Sequence, residues 1–218
     1  MIVGRAILFD LDGVLADSTV AIETQWRRWA ARHGLDADRL MRVVHGRRAL
    51  DTIREVAPWL DAEAELAALA AAEAEDTGGV VALPGAAAIL ARLPERQWAV
   101  VTSGVRPVAL ARLRACALPV PLVLVTADQV ARGKPDPEGY LTAARHLGVP
   151  PGDCIVVEDA PAGVAAARVG GMRCVGLTTT HPAAALAGAD LVVPTLAELD
   201  VRVGAVDSGP GVLAIGAG

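Results

Sequence analysis

Residues Val3–Leu15 read VGRAILFDLDGVL, and this stretch decides how the chain folds. Val3 to Phe9 is an apolar run interrupted only by Arg5, too short for a helix, and it reads as one buried strand. Asp10, Asp12 and Gly13 follow at once. Side chains alternate along a strand, so an extended continuation points Asp10 and Asp12 to the same side. In open sheets of parallel strands that end of the strand faces the ligand crevice. Two anions on one side repel unless a cation or a proton sits between them. A turn or helix-cap aspartate would explain one of the two; both together, after an apolar run, fit that reading badly.

Working outward, similar short apolar runs recur at Trp98–Val101, Leu122–Val125, Cys154–Val157, Cys174–Leu177 and Leu191–Val193. Helical patterns lie between several of them, at Ala86–Leu93, Pro107–Cys116, Pro137–Leu147 and Ala162–Val169. Strands alternating with helices predict an α/β fold with a parallel sheet covered on both faces. One stretch breaks the alternation. Ile22, Trp26, Trp29, Ala30 and His33 mark one helix face, and Asp61–Asp76 is rich in strong helix formers, with room for two or three more helices between. This predicts a helical insertion over 17–82, a core of 1–16 and 83–203, and a loose Gly-rich tail over 204–218.

Composition narrows the function. The 218 residues are 53% hydrophobic and 21% charged, enough to bury a sizeable core. A net charge of -5 argues against a general nucleic-acid surface, and no apolar run is long enough for a membrane span. Cys116, Cys154 and Cys174 are widely spaced, form no metal pattern, and read as buried apolar residues in a reducing cytoplasm. Of 20 basic residues one is lysine, Lys134.

Three further segments sit where strands end. Thr102-Ser103-Gly104 offers hydroxyls and backbone N–H groups near a helix start, which suit either phosphate oxygens or a plain cap. Gly133-Lys134-Pro135-Asp136-Pro137 sets the lone lysine among turn residues, consistent with a compact ammonium beside an anion. Glu158-Asp159 ends an apolar run with two carboxylates, ligands of the kind that hold magnesium. Together these are the parts of a phosphoryl-transfer site.

The order DLDGVL, VVTSG, GKPDP, VVEDAPAG resembles the haloacid dehalogenase-like hydrolase superfamily, over nearly all of residues 6–200. The resemblance implies a three-layer Rossmann-like core with an inserted all-helical cap. It implies Asp10 as nucleophile and Asp12 as the acid that protonates the leaving oxygen and then activates water. Thr102 and Lys134 would bind phosphate, Lys134 also restraining Asp10, with Gly13, Ser103 and Gly104 around the substrate. Mg2+ would be held by Asp10, Asp12 through its backbone carbonyl, Glu158 and Asp159.

The family's chemistries differ. Its dehalogenases lack the second aspartate, which Asp12 supplies here, and its phosphonate-cleaving members need a cap lysine that is missing. The β-phosphoglucomutase-like members carry a histidine where Ile22 stands, as well as a cap lysine. Hydrolysis is therefore expected; a phosphosugar mutase or a non-catalytic phosphate-binding protein are the alternatives. Val44-His45-Gly46-Arg47 and the fuller motifs resemble phosphatases of glycerol phosphate, 2-deoxyglucose 6-phosphate and related sugar or polyol phosphates. His45, Gly46 and Arg47 then become candidates for substrate contact, and Arg47 and Arg48 read equally well as surface residues. The expected partner is a small phosphorylated metabolite, with no nucleic acid and no membrane, and a cytoplasmic monomer or weak homodimer.

Overall fold

The computed structural model describes residues 1–44, 46–204 and 212–218, with the backbone alone at Val212. Along the chain run β1 (Ile2–Gly4), β2 (Ala6–Phe9), β3 (Ala16–Asp17), α1 (Thr19–His33), α2 (Ala37–Met41), α3 (Ala49–Val56), α4 (Ala62–Glu75) and β4 (Val81–Ala82). Then come α5 (Ala86–Leu90), β5 (Trp98–Val101), α6 (Arg106–Ala115), β6 (Leu124–Val125), α7 (Glu138–Leu147), β7 (Cys154–Glu158), α8 (Pro161–Val169), β8 (Arg173–Leu177), β9 (Leu191–Val193), β10 (Leu199–Gly204) and β11 (Val212–Ala217).

The main sheet has the order β6-β5-β2-β7-β8-β9, all parallel. The central strand β2 is buried along its length, and its residues alternate between two apolar layers. Ile7 and Phe9 pack with Ile89, Leu113 and Trp98 on one face; Ala6 and Leu8 pack with Tyr140, Ala143 and Val164 on the other. Chain order runs outward from β2 to β5 and β6, then resumes on β2's other side at β7. The strand order reverses beside β2, which is where such sheets open a crevice at their carboxyl ends.

The helical insertion has a core of its own. Trp26 and Trp29 meet edge to face with ring centroids 5.5 Å apart, among Leu40, Val44, Ile53 and Leu69. His33 closes α1 ahead of Gly34, whose left-handed backbone caps the helix. The insertion joins the core through a two-residue ladder, β3 against β4. The sequence carried no strand pattern there, because two residues are too few to show alternation.

Two expectations give way. Val3–Phe9 is two strands rather than one: Arg5 N–H donates to Asp153 O at 2.7 Å, and β1 turns into a second sheet of order β1-β11-β10. The segment 204–218 was expected to be loose; residues 205–211 lie outside the described residues, but Val212–Ala217 pairs with both β1 and β10, burying Leu213 and Ile215. Glycine content hid an apolar alternation in VLAIGA. Cys116, Cys154 and Cys174 are buried free thiols, as composition suggested, and burial pushes Cys154 up to about 12. No helix among the described residues is long and apolar enough to cross a membrane.

Candidate active site

The carboxyl ends of β2, β5 and β7, with the loop before α7, bring Asp10, Thr102, Glu158, Asp159 and Lys134 together. Asp10 N–H donates to Val157 O at 3.0 Å, extending the β2–β7 ladder and placing the carboxylate at the strand end. The side chains of all five are buried, with Glu158 fully so. Lys134 Nζ lies 3.0 Å from Asp10 Oδ1 and 2.6 Å from Glu158 Oε1. Thr102 Oγ1 accepts from Gly104 N–H at 3.0 Å, which leaves the hydroxyl proton to donate. Ser103 Oγ instead donates to Gly46 O of the insertion at 3.1 Å.

Glu158 is engaged more completely than its sequence motif suggested. Oε1 accepts from Lys134 Nζ at 2.6 Å and Tyr140 Oη at 2.7 Å, and Oε2 from the N–H groups of Asp159 at 3.0 Å and Ala160 at 3.1 Å. A carboxylate offers about four acceptor positions, so this one is filled. Tyr140 holds Glu158, and burial raises its hydroxyl well above its ordinary pKa, keeping it a neutral donor. Glu158 therefore anchors Lys134. It can sit only because Gly163 has no side chain: a Cβ there would lie 1.7 Å from Oε1.

Gly13 is fixed twice over. Its φ of 78° is left-handed, and a Cβ would stand 2.1 Å from Asp159 Oδ2. Asp159 Oδ2 also accepts from Thr180 Oγ1, and His181 Nδ1 lies 3.1 Å from Asp159 O.

The charges do not balance. Asp10, Glu158 and Asp159 offer oxygens within 4.8 Å of one another, against one ammonium. Burial pushes the Asp10 carboxyl up to about 7; Lys134 pulls against that rise, and Glu158 and Asp12 add to it. Burial, with the charges of Glu158 and Asp10, also holds Asp159 well above its usual value. Burial alone would lower the Lys134 pKa, but Asp10 and Glu158 raise it, so it stays cationic. An all-oxygen site with excess negative charge fits a small hard dication. Asp10 and Asp159 present the least engaged carboxylates for it, with Glu158 behind them; the Asp12 carboxylate is turned elsewhere.

Above this cluster a cleft is walled by Asp10, Asp12, Ser103 and Gly104 from the core and by Trp26 and Arg47 from the insertion. Arg47 reaches Glu55 at 2.6 Å while facing the cleft. Gly46 approaches Ala160, at 3.0 Å from where a Cβ would stand. His45 lies outside the described residues. Arg48, paired with Arg47 in the sequence reading, does something different. It grips Asp51 through Nε at 2.7 Å and Nη2 at 2.9 Å, and Nη1 donates to Val130 O at 3.0 Å and Ala131 O at 3.1 Å. It clasps the insertion onto the loop that carries Lys134. Arg48→Ala is expected to weaken that closure by about 1–3 kcal/mol, the cost of hydrogen-bonding groups left unmatched. The check is faster hydrogen exchange at the start of α3 and across 130–134, with the central sheet unchanged.

Asp12 stands apart from the cation cluster. Oδ1 accepts from Ser18 Oγ at 2.5 Å and Oδ2 from Arg112 Nη1 at 2.7 Å. Ser18, Arg112, Tyr140, Thr180 and His181 were not singled out as site residues from sequence. One of them left a trace: Arg112 falls on the same helical stripe as Val108, Ala109 and Leu113, all buried, an odd place for an arginine. The threonines of the loop after β8 carry no such mark.

The haloacid dehalogenase-like hydrolase family model matches residues 5–171. Hexitol phosphatase A of Escherichia coli (strain K12) is 42% identical over 202 residues, taking in 90% of this chain and 94% of that protein. Validoxylamine A 7'-phosphate phosphatase of Streptomyces hygroscopicus subsp. limoneus is 43% identical over 205 residues, covering 89% and 95%. Among solved structures, a hydrolase from Pseudomonas syringae superposes with a TM-score of 0.79 at 30% identity, covering 88% of this chain and 94% of that one.

Proposed function

The chain belongs to the haloacid dehalogenase-like hydrolase family, and from that premise we propose that it is a magnesium-dependent phosphatase that hydrolyses a small sugar or polyol phosphate through an aspartyl-phosphate. The observation that carries this reading is the Asp10 carboxylate, buried at the cleft floor and held by Lys134 at 3.0 Å beside Asp159. A bound magnesium ion would neutralise the carboxylates and the phosphoryl oxygens.

An Asp10 oxygen attacks phosphorus as the ester P–O bond breaks, and the departing alkoxide takes a proton from Asp12. Thr102 donates its hydroxyl proton to a phosphoryl oxygen, and Lys134 neutralises charge from below. Asp12, now a carboxylate, takes a proton from water as that water's oxygen attacks phosphorus. Phosphate leaves and Asp10 is regenerated. Tyr140 and Glu158 keep Lys134 in place throughout.

The far end of the substrate meets Trp26, Arg47 and Ile22. Among the described residues at this end of the cleft, Arg47 is already paired with Glu55 and Ile22 is apolar, so they offer little to hold a second phosphate. That favours a neutral hydroxylated body and hydrolysis over a mutase. Names of relatives support the same substrate class: hexitol phosphatase and 2-deoxyglucose-6-phosphate phosphatase.

The test is phosphate release from hexitol, hexose, glycerol and nucleotide phosphates with magnesium or with EDTA. Release from a hexitol or small polyol phosphate is expected, lost by two orders of magnitude or more in EDTA, on the order of what charge neutralisation at such a site supplies. Magnesium should also raise the melting temperature, since it binds the folded site alone. Release undiminished in EDTA would overturn the metal assignment, and phosphate transfer only in the presence of a sugar bisphosphate would make it a mutase.

A further inference from the structure

Arg112 is held between two carboxylates from different parts of the molecule. Nη1 reaches Asp12 Oδ2 at 2.7 Å, and Nη2 reaches Glu73 Oε2 at 2.7 Å. Arg112 lies on α6 of the core and its side chain is 5% exposed; Glu73 lies on α4 of the insertion and is 12% exposed. The second Asp12 oxygen is held by Ser18 Oγ at 2.5 Å, next to the β3–β4 ladder. Each oxygen of Asp12 thus contacts one of the places where insertion and core meet.

We propose that Arg112 is a positioning residue that makes the aim of Asp12 depend on cap closure, with Glu73 as the contact that reports the closed position. The proposal rests on the phosphatase reading, in which Asp12 is the acid and base. A guanidinium is a planar fork, so fixing one arm on Glu73 fixes the direction of the other. When α4 lifts, Glu73 leaves with it and the fork is free to turn. Asp12 is then poorly aimed while the cleft is open to water, and correctly aimed once substrate is enclosed. A lysine could not do this, because a single ammonium has no fixed second arm.

The test separates leaving groups. An alkoxide needs a proton as it departs, whereas 4-nitrophenolate is stable without one, so only the first depends on a well-aimed acid. A positioned acid contributes about 10²–10⁴-fold, and partial loss of aim should remove on the order of tenfold. Glu73→Gln, which keeps the side-chain shape, is expected to lower kcat/KM for an alkyl phosphate such as glycerol phosphate about tenfold and for 4-nitrophenyl phosphate less than about threefold. With the aryl ester, the phosphoenzyme should accumulate, because its hydrolysis still needs Asp12. Arg112→Met should show the same pattern more strongly, and the double variant should be no worse than Arg112→Met alone. Arg112→Lys should not restore the alkyl ester. Equal losses on both esters, or additive losses in the double variant, would overturn the proposal. A wild-type chain that releases phosphate from neither ester would overturn the phosphatase reading and the proposal with it.

Discussion

Asp10→Asn is expected to abolish turnover, by at least about 10⁴-fold, as loss of a covalent nucleophile does elsewhere. The amide is nearly the same size but cannot form the acyl phosphate. The phosphoenzyme peak should vanish from intact-mass spectra after an acid quench. Folding should survive and its pH dependence should flatten. In metal-free protein the Asp10 carboxyl is pushed up to about 7 from an ordinary 3.8. The folded state therefore keeps a proton that the unfolded chain has released between those values. Stability from that proton is fully present below pH 3.8 and lost as pH rises through about 7. Thermal melts in EDTA should show this decline for the wild type and much less of it for Asp10→Asn. A variant that turns over at the normal rate would sink the nucleophile assignment.

Lys134→Met is expected to damage both chemistry and folding. Lys134 is the one cation touching Asp10 and Glu158 among the described residues. Removing one partner of a buried ion pair costs about 3–5 kcal/mol, because the other charge is left without its counter-charge. Glu158 keeps Tyr140 and two backbone N–H groups, so the loss should fall at the lower end of that range. Magnesium should recover part of it. Turnover should fall on the order of 10²–10³-fold through lost electrostatic stabilisation. Lys134→Arg should not rescue, since a planar fork does not fit where a point charge sits between two carboxylates. Wild-type melting and rate in Lys134→Met would refute its place in the site.

The alternation of strands and helices and most of the floor of the site could be read from the chain. Asp10, Thr102 and Asp159 each follow or border an apolar run, and a parallel sheet gathers such positions at one edge; Lys134 stood out as the one lysine, set among turn residues. Side-chain pairing across distant elements could not be read. Arg47 and Arg48 are neighbours with the same charge, yet one faces the cleft and the other clasps 130–131, because a turn sends adjacent side chains apart. Arg112 finds Glu73 across 39 positions and Asp12 across 100. Val212–Ala217 was misread because pairing with β1 and β10 supplies what glycine-rich local sequence does not.

The only lysine in the chain has its side chain enclosed against Asp10 and Glu158, which hold it protonated. The native surface thus presents no side-chain amine. Reagents that acylate or crosslink lysines, and resins that immobilise through them, find none there until the fold opens. Each unfolded molecule then exposes one. The amount of ε-amine labelled after a brief pulse becomes a direct count of how many molecules had opened, with a single residue as the reporter.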